Sequence, residues 1–330
     1  MQAAQYNENS DSVDVVKVVS VDKPSASPGF AVVKVVAAAA NPIDLKVLGG
    51  HLKGAGWSMD FPFTMGYDFA GVVDSVDASD SAFSVGDEVF GVNWGQHKHD
   101  ETGHPVGGAF AEYILVPVSK LSKKPSAISF DQAAAVALVG TTAYQILFDC
   151  AKVASGSRVL ILGGSTAVGS LAIQLAKSRG AWVATTCSSR TLDYVSQFGP
   201  DKVVNYREAN WENDTELREL DAVIDTVGEN EGFSKTKDNN VVKATGSFVS
   251  ISAFDAGFDP NGHPPLSFAA FYCLRNDTSH QNELASMVAN GTLNVNIDKR
   301  FPFTEAGVRE LLTYQMSGAS CGKNILYFDK

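Results

Sequence analysis

Residues 163–169 read Gly-Gly-Ser-Thr-Ala-Val-Gly, three glycines around a small polar pair. Such a turn at the head of a helix presents free backbone N–H groups and the positive end of the helix dipole, which suits a pyrophosphate. Ser165, Thr166, Ala167, Val168 and Gly169 are therefore the expected phosphate contacts. Glycine turns are also common on plain surfaces, so the flanks decide. Val168, Leu171, Ala172, Leu175 and Ala176 follow at helical spacing, and residues 158–162 and 182–186 on either side are apolar strands. Strand, turn, helix, strand is the unit that binds a dinucleotide.

The end of the second strand speaks to which dinucleotide. A lone ribose calls for an Asp or Glu at that point, whereas a 2′-phosphate calls for cationic or neutral donors. The chain offers Thr185, Thr186, Cys187, Ser188, Ser189 and Arg190, with no carboxylate before Asp193. NADPH is the expected cofactor, with Arg190, Ser188 and Ser189 on its 2′-phosphate. The alternative is a solvated arginine at a helix start.

Two other stretches have the look of chemistry. Residues 41–46 (NPIDLK) leave an alanine-rich strand through a proline turn, and residues 65–71 (MGYDFAG) carry two glycines that suggest close backbone approach. His97, His99 and His104 form the sequence's one histidine cluster, but their spacing fits no zinc pattern, so a solvated loop is expected there. Cys150, Cys187, Cys273 and Cys321 are scattered without a CxxC pair, which fits a reducing compartment.

The elements that must hold these groups divide the 330 residues into two domains. Up to about residue 124 the pattern is short strands, at 1–6, 13–21, 30–37, 70–76, 88–92 and 110–117, and suggests a partly closed barrel. Ser129 and Gln132 make a capping box for a helix to Leu138, which Gly140, Thr141 and Thr142 are expected to interrupt before a second helix to Ala151. Strands at 202–206, 222–227 and 247–252 then alternate with helical stretches, giving a parallel doubly wound α/β sheet. Ligands lie at the carboxyl ends of such strands, which singles out Tyr206, Val227, Ser252 and Ala253. A proline-rich loop ends this domain, a helix runs to Ala289, and a helix at 305–316 and a strand at 324–328 return to the β half. The expected division is 1–124 with 293–330 for the β domain and 125–292 for the dinucleotide domain.

A formal net charge of -11 speaks against nucleic acid or anionic membrane as a main partner. No leader and no uninterrupted apolar stretch of membrane-spanning length is evident, so a soluble cytoplasmic protein acting on small molecules is expected.

Taken together, NPIDLK (41–46), GYDFAGVV (66–73), VGDEVFG (85–91), GGAFAEY (107–113), GTTAY (140–144), VLILGGSTAVG (159–169) and VIDTVG (223–228) resemble the medium-chain dehydrogenase/reductase superfamily over nearly the whole chain. The branch it looks like is the zinc-free quinone oxidoreductases, which include zeta-crystallin and the plant enone and alkenal reductases. The resemblance implies a GroES-like β-barrel catalytic domain, a Rossmann domain, NADPH against Thr142, Ser165 to Val168, Ser188, Arg190, Tyr206 and Ser252, and a homodimer joined through the cofactor domain. Zinc-dependent members carry a Cys near Asn41 and a His at Tyr67, so neither zinc nor flavin is implied. Two departures stand out: Thr166 replaces a usual Gly, and Lys46 stands where quinone oxidoreductases often have Tyr, as in enone reductases.

The implied activity is direct hydride transfer from the nicotinamide to a quinone, or alternatively to the β-carbon of a 2-alkenal or enone. Either acceptor develops negative charge on oxygen, and a preorganised cation there is worth about 3 kcal/mol. Lys46 is the candidate, with Asn41 orienting substrate or nicotinamide and Tyr67 lining the site. A further alternative is a non-enzymatic NADPH-binding or RNA-associated protein, which the acidic balance disfavours.

Overall fold

The computed structural model describes residues 1–53, 60–77, 82–93, 108–252, 268–271 and 273–329, with 268–271 in backbone only. Two compact units divide it: residues 1–138, 276–291 and 295–330 form the first, and 139–275 with 292–294 the second.

The first unit begins with short Val- and Ala-rich strands, as the alternation requires. Strands β1 (Gln2–Tyr6), β2 (Lys17–Ser20) and β4 (Phe63–Thr64) form a small sheet in the order β2-β1-β4. The run expected as one strand over 13–21 is split, because Ser12 caps a 3-10 turn at Val13–Val15 by accepting from the Asp14 N–H. Strand β3 (Phe30–Ala39) pairs antiparallel with β5 (Asp68–Val76) and β7 (Tyr113–Pro117), and β5 leads through β6 (Glu88–Val92) to β8 (Ser122–Lys123). A Cβ on Gly71 would fall 2.1 Å from Lys34 O, so the β3–β5 approach does require a glycine there.

Between β3 and β4 the chain forms a helix, α1 (Pro42–Leu48), rather than the expected proline turn. Proline at the first helical position lacks only an N–H that would have had no partner, and its fixed φ suits the helix. Helix α2 (Phe130–Tyr144) starts at the expected box: Ser129 N–H donates to Gln132 Oε1 (3.0 Å) and Gln132 N–H to Ser129 Oγ (3.1 Å). It continues unbroken through Gly140, Thr141 and Thr142 into a π-turn, Gln145–Cys150, contrary to the expected interruption. Contrary to the expectation that no stretch reaches membrane-spanning length, the helical run 130–150 is long and apolar enough to span a bilayer by composition, yet 78% of its apolar window is buried inside the protein. It is a core helix.

The second unit is a six-stranded parallel sheet. Its strands are β9 (Arg158–Leu162), β10 (Trp182–Cys187), β11 (Lys202–Asn205), β12 (Leu220–Asp225), β13 (Val242–Ser250) and β14 (Phe268–Phe271). Their order is β11-β10-β9-β12-β13-β14, so the direction of winding reverses between β9 and β12. That reversal opens a crevice at the carboxyl ends of the two strands, the site at which doubly wound sheets take ligands. Helices α3 (Ala167–Ser178), α4 (Leu192–Ser196) and α5 (Gly232–Asp238) provide crossovers. Leu160, Leu162, Val223, Trp211, Leu217 and Phe248 build the core on one face. Strand β14 had no counterpart in the sequence reading.

The chain returns through α6 (Thr278–Ala289), β15 (Ile297–Pro302), α7 (Glu305–Met316) and β16 (Lys323–Tyr327). Strand β16 pairs with β3, which places the C-terminal residues in the first unit's sheet, of order β15-β16-β3-β5-β6-β8. Among the described residues this path is open rather than closed on itself. The unit boundaries depart from those expected. Residues 125–138 stay with the first unit, where Leu138 N–H donates to Asp68 Oδ1 (2.8 Å), and 276–291 join it as Gln281 accepts from Ser122 Oγ (3.0 Å).

Candidate active site

The glycine turn lies at the end of β9, on the crevice where the winding reverses. Gly163 (φ +89°) N–H donates to Thr186 Oγ1 and Gly164 N–H to Thr186 O, both at 2.9 Å, so the end of β10 fixes the turn. A Cβ on Gly169 would stand 2.2 Å from Gly163 O; the helix can start this close to the strand only without a side chain. Thr166, the departure from the usual glycine, has ordinary extended backbone (φ −69°, ψ 158°) and caps α3 by accepting from Gly169 N–H at 2.9 Å. Its hydroxyl also lies 2.9 Å from that of Thr226, which donates to Leu162 O at 2.7 Å. Threonine thus ties the turn to the neighbouring strand end.

The amides of Ser165, Ala167 and Val168 are left without a hydrogen-bond partner among the described residues. These are the donors a pyrophosphate needs, so the turn fits the nucleotide that the sequence implied.

Of the other expected cofactor contacts, Ser188, Ser189, Arg190, Tyr206, Val227 and Ser252 follow the carboxyl ends of strands of the same sheet. Ser188 is buried beside Thr191, their hydroxyls 3.5 Å apart, while Ser189 and Arg190 are exposed in the following 3-10 turn. Tyr206, half exposed, is held to the end of β10 by its N–H on Cys187 O (3.2 Å), and the Arg207 guanidinium lies 5.6 Å from its ring centre. Val227 is 46% exposed beside the turn, and a Cβ on Gly163 would lie 2.3 Å from its Cγ1. Ser252 N–H donates to Ser250 Oγ (3.2 Å), Thr142 is buried in α2, and Ala253 lies outside the described residues. Burial pushes the Cys187 thiol up, which makes it a filler rather than a nucleophile.

Asp225 was not singled out from the sequence. Its buried carboxylate accepts from the N–H groups of Val227 (3.0 Å), Gly228 (2.9 Å) and Glu229 (3.2 Å) and from Ser250 Oγ (2.8 Å), and so shapes the loop that carries Val227. An Asp at a strand end just ahead of a glycine turn was the available signal.

The second constellation is in the first unit, around the start of α1. Asn41 is 1% exposed, and its amide is engaged inside the protein: Nδ2 donates to Asp68 Oδ2 (2.9 Å) and Ala39 O (3.2 Å), and Oδ1 accepts from Lys323 Nζ. Both amide hydrogens of Asn41 and one lone pair of its oxygen are thus spent inside the protein, which gives the residue a structural role at the head of α1. Lys323 Nζ also donates to Ala40 O (2.8 Å) and pairs with Asp68 Oδ2 (3.0 Å), with both side chains buried. Asp44 accepts from the Asn41 N–H at 2.7 Å, while its Oδ1 and the buried Tyr6 hydroxyl have no hydrogen-bond partner among the described residues.

Burial pushes the Asp44 carboxyl up to about 7, against the Asn41 N–H and the Lys323 charge and with the Asp68 charge adding. Asp68 is likewise raised by burial, opposed chiefly by Lys323. Tyr67 is 1% exposed, its backbone oxygen accepting from Asn93 N–H (2.7 Å); it packs in the core rather than lining an open site. Lys46, in the last turn of α1, is half-buried, and burial lowers its ammonium below the usual lysine range.

Residues 27–126 match the alcohol dehydrogenase GroES-like domain and residues 198–326 the zinc-binding dehydrogenase family. The chain is 32% identical to the 2-methylene-furan-3-one reductase of Solanum lycopersicum over 330 residues, covering 99% of this chain and 79% of that protein. The chain belongs to the medium-chain dehydrogenase/reductase superfamily. A second member of this superfamily, the chloroplastic NADPH-dependent alkenal/one oxidoreductase of Arabidopsis thaliana, is 30% identical over 96% of this chain and 76% of its own length. In structure, the superfamily's quinone oxidoreductase from Coxiella burnetii superposes with a TM-score of 0.83 at 29% identity, each chain covered over 99%.

The name of one matched family raises the question of zinc. Among the described residues no three His, Cys, Asp or Glu side chains converge on a point. The described residues therefore offer no donor set for zinc. The cluster of His97, His99 and His104 lies outside the described residues.

Proposed function

We propose that the protein is an NADPH-dependent, zinc- and flavin-free reductase of conjugated carbonyl compounds, with 2-alkenals and enones as substrates. The observation that carries the NADPH dependence is the nucleotide turn: three amides without partners among the described residues at the head of α3, on the crevice of the reversed sheet, beside a carboxylate-free strand end that bears Ser188, Ser189 and Arg190. The likeness to the Solanum lycopersicum and Arabidopsis thaliana enzymes supports the substrate class. Bound NADPH would supply a hydride to the β-carbon of the acceptor. Ser165, Ala167 and Val168 would hold its pyrophosphate, and Arg190 and the serines its 2′-phosphate. Tyr206 and Val227 offer apolar surface along the same edge.

Lys46 is the residue proposed to meet the charge that develops on the carbonyl oxygen. Its burial lowers the cost of giving up a proton, which lets the same ammonium protonate the reduced product. Lys46→Met should lower the single-turnover rate of NADPH oxidation by an enone about a hundredfold, on the scale of one lost donor to a developing oxyanion. An unchanged rate removes Lys46 from the chemistry.

A second reading, quinone reduction, is favoured by the likeness to the Coxiella burnetii enzyme. Ranking quinones against α,β-unsaturated carbonyls by kcat/KM separates the two. The reading carries with it a homodimer joined through the second unit and a cytoplasmic location, which sedimentation equilibrium and cell fractionation test.

A further inference from the structure

We propose that Lys323, at the start of β16, is a positioning residue for the reduction: its ammonium fixes the amide of Asn41 and with it the seat of the helix that bears Lys46. The proposal rests on the reading of Lys46 given above. An ammonium has three donors, and here the three acceptors are Ala40 O (2.8 Å), Asp68 Oδ2 (3.0 Å) and Asn41 Oδ1. Each belongs to a different part of the cradle: the last residues before α1, the first residue of β5, and the cap of α1 itself.

The geometry leaves Asn41 one orientation. A flipped amide would turn its NH2 towards the ammonium and its oxygen towards the Asp68 carboxylate, setting two donors and two acceptors against each other. Held as it is, Asn41 offers its backbone N–H to Asp44 Oδ2 (2.7 Å), and Asp44 is the third residue of α1, two before Lys46. The first turn of α1 is thus clamped from both sides, to β16 through Lys323 and to β5 through Asp68. Asp68 in turn accepts from Leu138 N–H (2.8 Å), so the same carboxylate seats α2.

Fold stability alone does not call for this arrangement. A well-packed apolar pair in place of a buried ion pair is often as stable. What the charges add is direction, because a point cation with three acceptors admits no slippage of the residues that hold them. A displacement of about 1 Å at a reacting group can cost a hundredfold in rate, which is ample reason to fix the helix that carries Lys46.

The test is single-turnover NADPH oxidation by an enone, measured at a temperature where circular dichroism shows each variant folded. Lys323→Met should slow the hydride-transfer step at least tenfold while the Kd for NADPH, set by the other unit, stays within twofold. Should Lys323→Met not fold, the double variant Lys323→Met/Asp68→Asn, which removes both charges, takes its place with the same expected loss. In a Lys46→Met background the Lys323→Met change should add less than twofold, since the clamp acts through Lys46. A hydride-transfer rate within twofold of wild type in the folded Lys323 variant, or full additivity with Lys46→Met, overturns the proposal. A lowered rate in Lys46→Met beside an unchanged one in Lys323→Met overturns this proposal alone, whereas an unchanged rate in Lys46→Met overturns the reading of Lys46 and this proposal together.

Discussion

The nucleotide turn of the second unit and the carboxylate–lysine cluster of the first are both built at strand ends, but from opposite materials. In the turn, glycines clear side chains away and leave backbone amides without partners among the described residues. In the cluster, two carboxylates, an amide and an ammonium are turned inward, and nearly every polar atom is engaged. The first arrangement suits a ligand recognised by its phosphates, which any chain can grip with main-chain donors. The second suits the aiming of one side chain, for which the groups behind it must not move.

The contrast can be broken at several points. The largest effect is expected in the cluster. Asp68→Ala leaves Lys323 buried without its counter-charge, and truncating one partner of such a pair costs about 3–5 kcal/mol. Urea unfolding should show this loss, while Asp68→Asn, which keeps an acceptor for the ammonium, should show less.

Asp44 gives the cluster a pH dependence. Its carboxyl titrates at about 7 in the folded chain and near 4 once unfolded, so between those values the folded state holds the extra proton. The contribution is fully present below pH 4 and is lost as the pH climbs through 7. Stability should fall by an amount on the order of a few kcal/mol between pH 4 and 8. Asp44→Asn should flatten that slope, seen by urea titrations at pH 5 and 8; an equal slope in the variant would contradict the assignment.

A smaller effect is expected in the turn. Gly169→Ala drives a methyl against Gly163 O, and overpacking of this kind costs about 1–3 kcal/mol. The loss should appear foremost as weakened NADPH binding, because the strand and helix can part only by moving Ser165 to Val168. Calorimetric titration checks it.

The two regions also differ in how legible they were in the sequence. The turn could be read because its signals are local: glycine spacing, helical period and the strands on either side all fall within residues 158–187. Even there Thr166 stands out in the sequence only as a departure from a usual Gly: its cap on Gly169 is local, but its link to Thr226 reaches a strand end sixty residues away. The cluster could not be read as a unit, because Asn41, Asp68 and Lys323 meet only when β16 pairs with β3. With Lys323 nearly three hundred residues away in the chain, the inward bonds of the Asn41 amide have no local signal. Local errors had local causes. Pro42 suggests a turn but opens a helix, Gly140 suggests a break but tertiary packing carries α2 through, and Pro260, Pro264 and Pro265 argue for a loop shortly before β14.

The most direct test of the account is a single-turnover reaction of the purified protein with NADPH deuterated at nicotinamide C4 and a 2-alkenal, with a metal chelator present and no flavin added. The account predicts NADPH oxidation with a primary isotope effect and deuterium found at the β-carbon of the saturated product. Saturable NADPH binding with no oxidation by any enone or quinone, or a product without the label, would contradict it.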